Sequence, residues 1–169
     1  MDLERVAGRG YEFSPQGFVG VGYGGAESVE RSALVGTDAL YTCVGVVLLD
    51  EDVVSLAHFP VEERFKVFVE GNGKSGYQTR TFNELADLLF EQHGLVSEST
   101  RAVIVGGVEG QSEVLTSRVE EELMRRGVVQ ITHRGQHSER VEWDLRVRQG
   151  EVTVSARKRP HALISEGSF

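Results

Sequence analysis

The chain contains one cysteine, Cys43, and a histidine, His58, follows it fifteen residues later. A thiol beside an imidazole can do nucleophilic chemistry, because the imidazole accepts the thiol proton and stabilises the resulting thiolate. Such pairs cleave amides through a thioester. A lone cysteine is more often a packing residue, since free cysteine is among the most buried residue types. The two interpretations differ in whether Cys43 and His58 come together in the fold.

The segment between the two residues predicts a β-hairpin with strands Cys43–Leu49 and Val53–Phe59 and a turn at residues 50–51. In that register Cys43 lies directly opposite His58, with Cβ atoms about 4.5–5.5 Å apart. A shift of the turn centre by one full residue makes them diagonal neighbours on the same face, and a half-residue shift, from a three-residue loop, places them on opposite faces. Asp-Glu is not a preferred two-residue turn, so the sequence leaves these registers open.

Two helices are indicated by capping residues and by apolar spacing. Thr81 and Glu84 form a capping box for a helix over Phe82–His93, and the second helix is expected over Glu113–Arg126 with Ser112 as its N-cap. The buried face of the second helix is expected to consist of Leu115, Val119, Leu123 and Met124.

The rest of the chain predicts mainly strands: Phe18–Tyr23, Ser32–Val35, the two hairpin strands, Phe65–Val69, Ala102–Val105, Val128–Thr132, Arg140–Leu145 and Glu151–Ala156. Gln149-Gly150 is expected to form the turn between the last two. Nine strands and two helices predict an α/β (α+β) fold, a layered and largely antiparallel or mixed β-sandwich flanked by two main helices. We expect one domain over residues 1–169, with loosely attached ends at 1–16 and 159–169.

Two glycine-rich stretches look like nucleotide-binding loops, but neither is complete. "GVGYGG" at 20–25 is followed by too few residues for the helix and strand of a dinucleotide site, and "IVGGVEG" at 104–110 lacks the Lys-Ser/Thr of a phosphate loop. Both are expected to be turns, and no cofactor is predicted. Among the histidines only His133 and His137 lie close together, and they lack a third ligand nearby, so no metal site is predicted either.

The charge balance argues against a nucleic-acid partner. The net charge of −8, from 26 acidic and 18 basic residues, opposes nucleic-acid binding, which depends on lysine and arginine.

The start of the chain is charged where a signal peptide needs an apolar run, and no apolar stretch approaches the ~20 residues of a membrane span. One cysteine cannot form an internal disulfide. The sequence therefore predicts a cytoplasmic protein without membrane insertion, with export that needs no cleaved signal as the alternative.

Thr37, Cys43 and His58, in this order, resemble the catalytic residues of the chemoreceptor glutamine deamidases (CheD). That family carries a threonine, a Gly-Ser-Cys and, after a hairpin, a histidine followed by an apolar residue and proline, and this chain reads "AHFP" around His58. The segments "VGVGYGG", "AVIVGGVEG", "VEEELMRRGVVQI" and "HRGQHSERVEWDLRVRQGEVTV" are similar to other parts of the family, so the resemblance runs from about residue 18 to 157. The same arrangement occurs in bacterial toxin deamidases of the cytotoxic necrotizing factor and Burkholderia lethal factor types.

The resemblance implies a CheD-like fold and a bacterial protein-glutamine glutaminase without a cofactor. Cys43 would be the nucleophile and His58 the general base, with Thr37 orienting the imidazole; Asp38 is an alternative orienter. The loop at Tyr41 and Thr42 would supply the oxyanion site and approach the substrate. The implied partners are a protein substrate, either a chemoreceptor or another glutamine-bearing protein such as a toxin target, and a regulatory protein.

Four residues depart from the family pattern. Tyr41 and Thr42 stand where both groups have small residues that include a glycine, and Gln136 and Glu139 stand where the closing segment has glycines. Tyr41, Gln136 and the acidic surface motivate a hypothesis of a different class, a catalytically silent binding module that retains the deamidase fold.

Overall fold

The computed structural model of the chain describes residues 17–71, 73–135 and 141–158. The expectations for Gln136, His137, Glu139 and both chain ends lie outside these residues. In chain order the described elements are β1 Phe18–Gly20, β2 Ala26–Glu30, β3 Leu34–Leu40, β4 Val44–Leu49, β5 Val53–Phe59, β6 Arg64–Gly71, β7 Lys74–Thr81, α1 Phe82–His93, β8 Arg101–Gly106, α2 Glu113–Arg125, β9 Gln130–Arg134, β10 Val141–Arg148 and β11 Glu151–Lys158.

The described strands form three sheets. The central sheet has five strands in the order β2-β5-β4-β8-β9, and the outer sheet has four in the order β1-β3-β10-β11. Pairing is antiparallel except for β8 with β9 and β1 with β3, which are parallel. Strands β6 and β7 form a separate hairpin. A mixed α+β fold with largely antiparallel sheets is confirmed.

The central sheet is a middle layer that buries apolar side chains on both faces. On β5, Val54 and Leu56 belong to the core shared with the outer sheet, whereas Ala57 and Phe59 belong to the core shared with the two helices and β6. This alternation follows from the two-residue period of a strand. The site described below lies in the layer between the central and outer sheets.

The first helix has the predicted bounds and cap. The Glu84 N–H donates to Thr81 Oγ1 at 3.3 Å, and the Glu84 carboxylate accepts from the Thr81 N–H in return. The second helix starts as predicted but ends at Arg125. Met124, predicted to be buried, is 58% exposed. That prediction was wrong because the apolar stripe follows the i, i+4 spacing through Leu123, and Met124 is turned about 100° away from it.

Two strands were missed by the sequence prediction, and one was misplaced. The chain forms β2 and then β3, rather than a strand at Ser32–Val35. β2 is a half-exposed edge strand and β7 is exposed over most of its length, so neither carries the apolar alternation that indicates a strand. The turn at Gln149 and Gly150 is confirmed, with φ of 53° and 75°, as a type I′ hairpin turn requires.

A strand, β2, rather than a helix follows the first glycine-rich stretch. Gly106 and Gly107 have φ of 92° and 91°, which confirms a tight turn between β8 and α2. None of the helices in the described ranges is long and apolar enough to cross a membrane.

Candidate active site

The register of the β4–β5 hairpin places Cys43 and His58 diagonally across the two strands. Leu49 pairs with Val54 and Gly45 pairs with His58. Cys43 directly precedes β4 and lies two residues from Gly45, on the same face of the hairpin as His58. The directly opposed register was therefore wrong, and the alternative with the turn centred one residue later is the one that forms.

This face of the hairpin points toward the outer sheet, and a glycine makes the close approach possible. A Cβ on Gly45 would lie 2.9 Å from Leu40 Cδ1 and 3.0 Å from Leu145 Cδ2. The absence of a side chain at Gly45 lets β3 and β10 pack closely beside His58. His58 is consequently only 4% exposed.

Thr37, on β3, meets His58 across this interface. Its hydroxyl oxygen lies 2.8 Å from His58 Nδ1 and 2.6 Å from the Val21 carbonyl oxygen. A carbonyl only accepts, so the single hydroxyl proton goes to Val21, and Nδ1 must donate to Thr37. This fixes the tautomer and leaves Nε2 with a lone pair, the form that a general base needs.

Burial keeps the His58 imidazole neutral. It lowers the pKa of His58 to about 4, because the charged form would lose its hydration between the sheets. The neutral form agrees with the tautomer that the Thr37 hydrogen bond requires. Among the described residues no hydrogen bond is made to Nε2, so the lone pair is not used by the fold.

Cys43 is half-buried, and its surroundings keep the thiol protonated. Burial first, and then the negative charge of Glu62, raise the pKa of Cys43 to about 12, although the Val61 N–H donates to the sulfur and acts in the opposite direction. No hydrogen bond joins Cys43 to His58 in the described part of the chain. The resting pair is therefore a neutral thiol and a neutral imidazole rather than a preformed ion pair.

Tyr23 and Glu62 border the site and were not singled out from the sequence. The Tyr23 ring centroid lies 5.9 Å from that of His58, and its hydroxyl donates to Glu62 Oε2 at 2.7 Å. Burial and the Glu62 carboxylate raise the pKa of Tyr23, so the phenol stays a neutral donor. The available signal was an aromatic residue inside a glycine-rich turn, where Gly24 has φ of 72°.

The loop before Cys43 is held by the start of α2. Ser112 Oγ donates to the Thr42 carbonyl oxygen at 2.9 Å and accepts from the Val108 N–H at 2.9 Å. A Cβ on Gly106 would lie 3.1 Å from the Cys43 carbonyl oxygen. Ser112 occupies the N-cap position but makes no side-chain cap bond, because its hydroxyl is used on this loop.

Tyr41 and Thr42, the predicted oxyanion and substrate loop, are both half-buried beside these contacts. The structure therefore places the 41–43 backbone against the β8–α2 turn. This turn brings together two segments that lie 70 residues apart in the chain.

Asp38 does not orient His58. Its Oδ1 lies 2.9 Å from Arg146 Nη1, and burial raises its pKa to about 6 although Arg146 opposes the shift. Successive residues on a strand point to opposite faces, so Asp38 turns away from the imidazole that Thr37 contacts. The alternative role for Asp38 was wrong.

The comparisons with known proteins show no family for this chain. No protein-family model matches the chain, and no curated protein matches it. Within the described ranges no three histidine, cysteine or acidic side chains come together as a set of metal ligands.

Proposed function

We propose that this protein is a protein-glutamine deamidase with Cys43 as nucleophile, His58 as general base and Thr37 as the residue that positions the imidazole. The observation that carries the proposal is the Thr37–His58 hydrogen bond, which leaves the Nε2 lone pair on the same hairpin face as Cys43. The resemblance to the CheD family and to toxin deamidases supports a glutamine side chain as the amide. The substrate would then be a chemoreceptor or another glutamine-bearing protein.

The first half-reaction forms a thioester. As the Cys43 sulfur attacks the carboxamide carbon, its proton moves to His58 Nε2 and the carbonyl oxygen becomes an oxyanion. The imidazolium then returns this proton to the amide nitrogen, the carbon–nitrogen bond breaks and ammonia leaves. Backbone N–H groups of the 41–43 loop would hold the oxyanion, and removal of one such donor typically raises a barrier by about 2.7–4 kcal/mol.

The second half-reaction hydrolyses the thioester. A water molecule gives a proton to Nε2 as its oxygen attacks the acyl carbon, and the carbon–sulfur bond breaks. The sulfur takes the proton back from the imidazolium, which regenerates the neutral thiol and imidazole and releases glutamate. Since the resting thiol is protonated, proton transfer to Nε2 has to accompany the attack in the first half-reaction rather than precede it.

The test is conversion of glutamine to glutamate in protein substrates, measured by mass spectrometry and by ammonia release. Chemoreceptor cytoplasmic domains and an unfolded glutamine-containing protein are the substrates to use. We expect conversion by the wild-type chain and none by Cys43→Ser or Cys43→Ala. His133→Gln, which changes an exposed histidine, is the matched control for His58→Gln and should retain conversion. Conversion that persists without the thiol would refute the mechanism.

A catalytically silent binding module is the second candidate. It is favoured by the raised pKa of Cys43 and by the absence of a Cys43–His58 hydrogen bond among the described residues. This candidate predicts that a partner captured by the wild-type chain also binds Cys43→Ala with unchanged affinity, and that no substrate is converted. Conversion that depends on Cys43 would reject it.

A further inference from the structure

A groove opens beside the candidate site, between the β1–β2 segment, the β6–β7 hairpin and one side of α1. Its volume is about 890 Å³. Val21 and Val67 are apolar parts of its lining, and Lys66 and Glu27 are charged ones. Tyr77, which is 73% exposed, lies on the hairpin side.

The groove is bordered by two strand edges that no other described strand covers. β2 is the edge of the central sheet, and β6 pairs with β7 alone. Two hydrogen bonds show which residues of the β2 segment bond to the β5 segment. The His58 N–H donates to the Gly25 carbonyl oxygen, and the Arg31 N–H donates to the Asp52 carbonyl oxygen. Glu27 therefore bonds toward β5, whereas the N–H and C=O groups of Ala26 and Ser28 point away from it. Unpaired N–H and C=O groups at a strand edge can form hydrogen bonds with the backbone of another extended chain.

The groove leads to the candidate catalytic residues through Tyr23. Tyr23 lines the groove, its ring lies 5.9 Å from that of His58, and its hydroxyl binds Glu62, whose charge acts on Cys43. A chain lying along β2 and continuing past Gly25 would therefore reach Tyr23, which borders the candidate site.

We infer that this groove binds an extended segment of a protein substrate by strand addition to the β2 edge. The inference rests on the proposed deamidase function and narrows its substrates to glutamines in unfolded or loop segments. Unpaired backbone groups call for a peptide backbone, and the carboxylate of Glu27 in the lining of the groove disfavours a nucleic acid. A second copy of this chain is disfavoured by its net charge of −8.

Binding is tested in the Cys43→Ser background, so that the outcome does not depend on turnover. The probe is fluorescein-labelled α-lactalbumin that has been reduced and carboxymethylated, which keeps it unfolded, and native α-lactalbumin is the folded comparison. Fluorescence anisotropy should show binding of the unfolded form and weak or no binding of the native form. Equal binding of both forms would overturn the inference.

A matched pair of helix variants locates the binding. Gln92 lines the groove and Glu91 does not, and both are exposed on α1. Gln92→Trp should weaken binding of the unfolded probe by about tenfold, equivalent to about 1.4 kcal/mol, and Glu91→Trp should leave it within about twofold. Equal effects of the two variants would overturn the inference. Hydrogen exchange should show the bound probe protecting the amides of Ala26 and Ser28; binding without this protection would also overturn it.

Failure of the groove and failure of the catalytic proposal give different results. Binding and edge protection without glutamine conversion by the wild-type chain would retain the groove and reject the deamidase. Conversion that Gln92→Trp leaves unchanged would retain the deamidase and reject the groove. A dimer in sedimentation velocity that Gln92→Trp dissociates would show that the groove holds a second copy, which would overturn the inference.

Discussion

Two buried histidines lie on opposite faces of the central sheet, and each contacts a hydroxyl through Nδ1. His58 lies 2.8 Å from Thr37 Oγ1 in the layer between the two sheets, and His93, at the end of α1, lies 2.7 Å from Ser55 Oγ in the layer between sheet and helix. Their exposed fractions are 4% and 6%. By residue type, burial and first partner, the two sites are alike.

The difference lies at Nε2. His93 Nε2 lies 2.6 Å from Asp50 Oδ2, and the Thr100 hydroxyl donates to the same carboxylate at 2.9 Å. Both ring nitrogens of His93 are thus engaged, and the residue connects the end of α1 to the turn of the β4–β5 hairpin. His58 has no such second partner among the described residues. An imidazole is available for proton transfer when the fold uses one of its nitrogens and leaves the other unbonded.

The largest expected effect separates the two histidines by activity. His58→Gln should lower kcat/KM for glutamine conversion by about 10²–10⁴-fold, the usual contribution of a general base, whereas His93→Gln should retain the wild-type value per folded molecule. Kinetics with a folded fraction determined by circular dichroism would measure this. An equal loss in both variants would show that Nε2 availability does not distinguish the two sites.

The acid dependence of stability should belong to His58. Its folded pKa of about 4 lies below the unfolded value of about 6.5, so the unfolded chain binds more protons between these values. The contribution is complete above pH 6.5 and is lost as the pH falls toward 4, by up to about 3 kcal/mol.

The difference between wild type and His58→Gln in urea unfolding isolates this effect from the opposite contribution of Asp38, whose raised pKa favours the folded state as the pH falls. A difference that stays constant from pH 7 to pH 4 would contradict the prediction.

His93→Gln should act on stability instead. The substitution disrupts contacts to Ser55 and Asp50 in a partly buried network, and a loss of about 2 kcal/mol in the free energy of unfolding at pH 7 is expected. Urea denaturation measures it, and His133→Gln, at an exposed position, should stay within about 0.5 kcal/mol. A stability change no larger than that of the control would mean that the His93 contacts do not stabilise the hairpin turn.

Thr37 should have a smaller effect that can be separated by a conservative variant. Thr37→Val removes the hydroxyl that fixes the tautomer and should lower kcat by about tenfold, about 1.4 kcal/mol, while Thr37→Ser restores most of it. The pH profile of kcat/KM should also change for Thr37→Val, because Nδ1 loses its acceptor. A Val variant with wild-type kinetics would leave Thr37 as a packing residue.

The smallest expected effect concerns the thiol. Glu62→Gln removes a negative charge that raises the pKa of Cys43, so alkylation by iodoacetamide at pH 8 should become a few times faster. Glu63→Gln, at the next exposed position, is the control and should react at the wild-type rate. A slower reaction in Glu62→Gln would contradict the sign of this interaction.

Local signals predicted the elements that local chemistry determines. The capping box of Thr81 and Glu84 gave the start of α1, and alternating apolar residues gave the last hairpin. The sequence did not determine the register of the β4–β5 hairpin, because the turn at Glu51-Asp52 has no glycine or asparagine to fix it. β2 was missed because this edge strand is half-exposed and carries polar residues.

The candidate site was only partly predictable from the sequence, because it also depends on contacts between segments that are distant in the chain. Thr37, Cys43 and His58 were selected by residue type, order and family resemblance, and the structure joins the first and last of them. Tyr23, Glu62 and Ser112 reach the site through contacts between segments 39 to 70 residues apart. No periodicity or spacing encodes such contacts, since they depend on how the sheets and α2 pack together. The role of Asp38 was misjudged because its partner, Arg146, lies on a distant strand.

The bond from Ser112 to the Thr42 carbonyl has a consequence for synthesis. A ribosome adds Thr37, Cys43 and His58 before Ser112, the serine that holds the loop, which emerges 70 residues after Thr42. A nascent chain stalled before α2 would already expose a thiol and an imidazole without an anchored loop between the strands. Competence for chemistry would then arise late, when α2 docks, and truncated products of translation would be inert even with every reacting side chain present.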